Sequence, residues 1–192
     1  MVQIVIIDGH PDPAGGHLCD ALAEAYARGA KQAGHTVSHL RLAAMEIEVL
    51  RSQNDQEHGQ PGSDILRAQQ EIRAASHLVL IFPLWLGDMP ALTKAFLEQV
   101  ARPGFAYAPG KGPFAAKLLA GRSARVVITM GMPAFWYRFV YRAASLTALK
   151  IGILRFVGFA PVRATLIGSV AAPDFDGDRW LARLERLGRA AR

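Results

Sequence analysis

The stretch LVLIFPLWLGDMPALTKAFLEQV, residues 78–100, decides the fold. Leu78 to Phe82 run apolar without a break, the pattern of a strand buried on both faces. Pro83 has no N–H to donate and is expected to stop the ladder. Asp88 is expected to cap a helix and Pro90 to sit in its first turn. Ala91, Leu92, Ala95, Phe96 and Gln99 then follow a helical repeat. A central strand therefore feeds a loop carrying Leu84, Trp85, Leu86 and Gly87. In an open parallel sheet, ligands bind past the carboxyl ends of the strands. An uncharged Trp-Leu pair there suits a flat apolar ligand, and equally suits a plug over the core.

Working outward, Val2 to Ile7 reads as another buried strand. It breaks into the loop Asp8-Gly9-His10-Pro11-Asp12-Pro13-Ala14-Gly15-Gly16-His17. Leu18, Ala21, Leu22, Ala25, Tyr26 and Gly29 mark one apolar helical stripe, ended by Gly34. Thr36 to Leu42 alternates as a strand. Met45 to Gly62 reads as a long surface loop. Ser63 is expected to cap a helix with Ile65, Leu66, Gln69 and Ile72 inward. Past residue 100, Arg102 to Gly121 reads as an extended excursion, and Arg125 to Met130 as the fourth strand. Phe135 to Val157 is an apolar-rich helical region, expected to break near Gly152. Pro161 to Ile167 is a fifth strand, and Phe175 to Ala191 a last helix with Trp180, Leu181, Leu184 and Leu187 inward. Strand and helix thus alternate five times in 192 residues. Right-handed crossovers then predict an α/β fold with a doubly wound parallel sheet and helices on both faces. Nothing divides the chain, so residues 1–192 are expected to form a single domain.

Half of the chain is apolar (51%) and a fifth charged (20%), a globular balance. Lys and Arg outnumber Asp and Glu by 22 to 16. Much of that excess lies on the last helix, alternating with a core-facing stripe, so it reads as a solvated face and not as a nucleic-acid module. Arg138, Arg142, Lys150 and Arg155 exclude a membrane span at 135–157, since each is costly in hydrocarbon. A helix apolar over most of its surface is better buried by a second subunit. The single cysteine, Cys19, excludes an intrachain disulfide and a Cys-rich metal site. The opening MVQIVIIDGH is already a strand, so no signal peptide is expected and the location expected is cytoplasmic.

Chemistry is expected in the loops. The first joins a strand to a helix start, where free N–H groups and the helix dipole favour an anion. Gly15 and Gly16 let backbone approach a phosphate, and His10 and His17 can donate. The spacing is neither that of a P-loop nor of the dinucleotide fingerprint. The loop Thr129-Met130-Gly131-Met132-Pro133 could offer backbone N–H groups to a heterocycle, with Trp136 and Tyr137 following. Aromatic core packing explains those two rings equally well. Cys19 sits in a helical first turn, which favours a thiolate, although a small buried cysteine is the commoner case. His58 reads as solvated.

GHPDP, FPLWLGDMPALTKAFLEQV, RPGFAY, KGPF, TMGMPAFWYR and GILRFVGFAPV, in this order along nearly the whole chain, resemble the flavodoxin-like NAD(P)H:quinone oxidoreductase family. The resemblance implies a five-stranded sheet in the order 2-1-3-4-5, with the flavin at the switch point. It implies a homodimer, here through the Phe135–Val157 region, holding one flavin per subunit, FAD or FMN. It also implies two-electron reduction of a quinone or similar flat acceptor by NADH or NADPH. Matched by position, His10, Gly16, His17, Leu18 and Cys19 fall in the flavin phosphate and ribityl region. Pro83, Leu84, Trp85 and Leu86 match the loop along the flavin ring. Thr129, Met130, Gly131 and Met132 match the loop whose backbone meets the ring's polar edge. Tyr137 matches a tyrosine near substrate and flavin, the candidate catalytic residue. Ala14, Gly15 and Gly16 replace side-chain hydroxyls of the first loop. Ala144 stands about where some members have a histidine proposed as proton partner. The competing readings are an electron shuttle and a regulatory flavin-binding subunit attending an ion-efflux channel. A phosphoryl-accepting receiver is disfavoured because the third strand ends in Phe82-Pro83 and not in Asp.

Overall fold

The computed structural model describes residues 1–108 and 116–192, so the Lys111–Phe114 motif lies outside the described residues. The elements are β1 (Gln3–Asp8), α1 (Leu18–Gln32), β2 (Thr36–Arg41), α2 (Gln53–His58), α3 (Ser63–Ala74), β3 (His77–Pro83) and α4 (Ala91–Val100). A small pair, β4 (Tyr107–Ala108) and β5 (Ala116–Lys117), precedes β6 (Ser123–Thr129), α5 (Ala134–Phe139), α6 (Ala144–Ala148), β7 (Val162–Ile167) and α7 (Gly177–Arg189). The main sheet runs β2-β1-β3-β6-β7, all parallel. Counting only its own strands, this is the predicted order 2-1-3-4-5.

The strands are apolar on both faces because both faces are covered. Successive side chains alternate. Ile4, Ile6, Val79, Ile81 and Val127 pack with Leu22, Tyr26 and Leu184 from α1 and α7. Val5, Ile7, Leu78, Leu80, Val126 and Ile128 pack on the other face with Ile72, Phe96 and Leu154. Glycine lets α1 and α7 touch: a Cβ on Gly29 would lie 1.9 Å from the Glu185 carbonyl oxygen, and one on Gly188 would lie 2.1 Å from that of Tyr26.

Several local expectations are corrected. Pro83 does not end the ladder: it is the last residue of β3, opposite Thr129, and the Leu84 N–H donates to the Thr129 carbonyl at 2.7 Å. Asp88 does not cap α4; its Oδ1 accepts from the Met89 N–H, and Pro90 holds the N-cap position. Gly62, not Ser63, precedes α3, and Leu66 is exposed while Ala68 takes the inward place. The 45–62 segment contains α2, capped by the Ser52 hydroxyl. The helical region after α5 breaks at residues 140–143, not near Gly152. Arg142 and Ala143 there are left-handed (φ 53° and 44°), whereas Gly152 lies inside a π-helical turn, Leu149–Arg155, that continues α6. The apolar neighbours Ile151, Ile153 and Leu154 carry the helix through Gly152 despite its glycine; a reversal at 140–143 is what lets α6 fold back over the sheet. Among the described residues, no helix is long and apolar enough to cross a membrane.

Candidate functional site

The carboxyl ends of β1, β3 and β6 carry three loops that meet. The Cys19 Sγ lies 3.6 Å from the Thr129 hydroxyl, tying the start of α1 to the end of β6. The rings of His10 and Trp85 meet edge-on at 6.0 Å, tying the first loop to the third.

The first loop is built on its own polar side chains. The His10 N–H donates to Asp8 Oδ1 (3.1 Å), and the Ala14 N–H to Asp12 Oδ1 (2.9 Å). His10 and His17 stack at 3.7 Å, and His17 Nε2 lies 3.0 Å from Asp12 Oδ2. Gly15 and Gly16 are left-handed (φ 71° and 77°), which only glycine adopts at no steric cost. The chain can thereby turn its amides toward the start of α1. There the N–H groups of Leu18 and Cys19 have no intrahelical acceptor. Asp20 closes the first turn by accepting from the His17 N–H at 2.9 Å, and Arg41 sits 3.5 Å from its other oxygen.

Asp8 is the residue that sequence reasoning passed over here. Its side chain is buried at the end of β1, and Oδ2 has no acceptor-type partner to satisfy it. Burial, and then the hydrogen bond with Asp20, push its carboxyl up to about 7. Burial and the facing Asp20 carboxylate both favour the protonated form of Asp8. The loop is thus relieved of one negative charge below neutral pH. Only the tertiary pairing of positions 8 and 20 reveals this. Burial, and then the neighbouring His17, hold His10 below the usual imidazole range.

The third loop is a tight turn. Trp85 and Asp88 exchange backbone hydrogen bonds (2.8 and 3.0 Å) around Leu86 and Gly87, both with positive φ (49° and 86°), the pattern of a primed hairpin turn. The turn leaves Trp85 half-exposed and Leu86 fully exposed, while Leu84 packs on the core. A plug would be buried, so the wall reading of Trp85 is the better one.

In the loop after β6, Thr129 and Met130 are buried. Met130 is fixed by Ile167 O and Val170 N, and Met132 O by Ser169 N. Gly131 is exposed, and a Cβ placed on it would meet nothing within 4 Å. The amides of Gly131 and Met132 have no hydrogen-bond partner among the described residues. Both are therefore available as donors. Burial pushes the Cys19 thiol up to about 12, so its position in a helical first turn produces no thiolate.

Tyr137, the candidate catalytic residue, lies inside the chain and not on its surface. It is fully buried; its hydroxyl is paired with Ser145 Oγ (2.8 Å) and accepts from the Leu146 N–H (3.1 Å). The enclosure follows from the reversal at 140–143, which folds α6 back over α5. The sequence shows no sign of that reversal. Ser145, half-buried beside Ala144, was not singled out because a serine in a helix carries no distinguishing signal.

The residues present fit a flavin. Open amides after β6, left-handed glycines and free N–H groups at the start of α1, and a half-exposed indole between them match its polar edge, its phosphate and its ring. The flavodoxin-like fold family matches residues 2–189. The chain belongs to that family. Within the flavodoxin-like family, it is 27% identical over 200 residues to rat NAD(P)H dehydrogenase [quinone] 1, covering 87% of this chain and 71% of the relative. It is 30% identical over 138 residues to an FMN-dependent NADH:quinone oxidoreductase of Ruegeria pomeroyi, covering 62% and 67%. Its structure superposes on the NAD(P)H:quinone oxidoreductase of Methanothermobacter marburgensis with a TM-score of 0.81 at 26% identity, covering 100% and 99% of the two chains.

Proposed function

We propose that the whole chain, residues 1–192, is one flavin-binding domain that oxidises NADH or NADPH and reduces a quinone or similar flat acceptor, each guest using the same face in turn. The convergence of three loops around the open Gly131 and Met132 amides and the half-exposed Trp85 carries this reading. Likeness to quinone oxidoreductases over 87% of the chain in sequence and 100% in structure supports it. The bound flavin supplies the two-electron chemistry. The chain supplies the rest. Leu18 and Cys19 amides and the left-handed glycines hold the phosphate end. Trp85 walls the ring. The Gly131 and Met132 N–H groups stabilise negative charge at the ring's polar edge, since they are fixed in place before reaction.

Tyr137 and Ser145 hold a hydroxyl pair behind α5. We assign Tyr137 a positioning role, with Ser145 as the side of the pair nearer solvent. FMN is the favoured flavin, because a named FMN-dependent relative matches most of the chain. The exposed Trp136, Val140 and Tyr141 support a homodimer through the helices after β6. A cytoplasmic location accompanies that reading. The decisive experiment is rapid mixing of the flavin-loaded protein with NADPH or NADH. Loss of the flavin's visible absorbance, restored by a quinone, is expected. A spectrum unchanged by either nucleotide overturns the proposal.

A further inference from the structure

A second cavity lies outside the three loops, along the free edge of β7. Its volume is about 660 Å³, within the range of small-molecule sites. Its walls come from four parts of the chain: Phe135 and Arg138 of α5, Lys150 after α6, Thr165 of the edge strand, and Trp180 and Arg183 of α7.

Its charge sets it apart. Arg138, Lys150 and Arg183 all line it, and no carboxylate does. Among the described residues, none of these three cations makes an ion pair or a side-chain hydrogen bond. Some surface cations elsewhere are paired, Lys94 with Glu98, Arg67 with Asp64 and Arg189 with Glu185; what distinguishes these three is that they share one concavity. Three like charges converging on one concavity repel one another, and a cleft lined by a single sign concentrates the field on a counter-ion. A fourth, buried cation lies behind the wall: Arg125 donates to the Thr165 hydroxyl at 2.7 Å, which fixes that side chain and adds to the positive potential.

The cavity also has an aromatic side. The Arg183 guanidinium lies 5.0 Å from the Trp180 ring centroid, a cation–π platform, and Phe135 is largely exposed opposite. The reversal at Arg142 and Ala143 separates α5 from α6 and keeps Ala143, a small residue, on the wall between them. The space is thus made by backbone geometry and is not a gap between loose side chains.

We infer that this cavity binds a multiply charged aromatic anion of the nucleoside-phosphate class, with its phosphates on Arg138, Lys150 and Arg183 and its base against Trp180. Guanidinium groups suit phosphate oxygens in paired hydrogen bonds, and the indole suits a flat base. The site is separate from the flavin loops, so it stands or falls independently of the reaction proposed above.

Titration calorimetry on the flavin-loaded protein tests it, with the flavin site filled so that it cannot take the probe. ADP is expected to bind at one site per chain, inorganic diphosphate more weakly, and adenosine more weakly still. Arg183→Ala combined with Lys150→Ala is expected to weaken ADP by about tenfold or more and to leave flavin content and melting temperature unchanged. Raising the salt is expected to weaken ADP too. No heat from ADP at millimolar concentration, or ADP binding that the double variant does not weaken, overturns the inference. If diphosphate binds as tightly as ADP, the aromatic part of the assignment is overturned.

Discussion

The two rims of the sheet are made by the same strands and have opposite character. At the amino rim, several side chains tie the chain to itself, although His77 Nε2 is left without a partner. His77 Nδ1 meets the Ser123 hydroxyl at 2.7 Å, and Arg122 donates to the carbonyls of Ala75, Ala120 and Arg73 at 3.0, 3.1 and 2.8 Å. At the carboxyl rim, Gly131 and Met132 keep amides without partners, Leu86 is held left-handed, and Trp85 stands half in solvent. One rim spends its hydrogen bonds on stability, and the other leaves them for a ligand. The rims differ because the polypeptide enters helices only at the carboxyl ends of the strands, where helix starts bring unpaired N–H groups.

The largest effect that would break this comparison is in pH. Asp8 at the carboxyl rim has its carboxyl raised to about 7, so the folded state holds more protons than the unfolded one, and stability falls as pH rises from about 4 through about 7. Burial and Arg125 lower His77 at the amino rim to about 4, so the unfolded state holds more protons, and stability rises as pH climbs from about 4 to the ordinary imidazole range. The two slopes oppose each other in the native protein. Denaturant titrations from pH 4 to 8 should show a rising curve in Asp8→Asn and a falling one in His77→Gln. Parallel curves would mean that the two groups are not held as described.

Next in size is Arg122→Ala. Three hydrogen bonds at about 1 kcal/mol each suggest a loss of about 2–3 kcal/mol in chemical denaturation. Flavin content should be unchanged. Trp85→Ala is the reverse case: flavin affinity, read by fluorescence titration, should drop about tenfold, about 1.4 kcal/mol. Its melting temperature should scarcely move, because a half-exposed side chain contributes little to the core. If Trp85→Ala unfolds the protein and leaves flavin bound, the indole is a plug after all. The smallest effect is expected from Tyr137→Phe, which removes the acceptor of the Leu146 N–H and the partner of Ser145 at a cost of about 1 kcal/mol. A positioning role predicts a shift in the pH profile of turnover with little change in flavin affinity. A loss of nucleotide binding would instead put the ring against substrate.

Much of this was legible in residues 78–100 and their counterparts. A five-residue apolar run bounded by a proline is too short for a helix and reads as a doubly covered strand, and strand–helix alternation leaves few ways to connect a sheet. The sequence therefore determined the parallel, doubly wound architecture and the three loops at the carboxyl ends of its strands, while the order of the strands followed from the family resemblance. Tertiary structure alone decided whatever depended on residues meeting across the chain. Asp8 gains its neutral carboxyl from Asp20 and burial. Tyr137 loses its exposure to a reversal two residues long, for which Arg142 and Ala143 give no local signal. The basic cavity exists because α5, β7 and α7 bring Arg138, Lys150 and Arg183 together across 44 intervening positions. Hydrophobic period is a property of neighbours in sequence and survives in one dimension. Charge, burial and hydrogen-bond satisfaction are properties of neighbours in space.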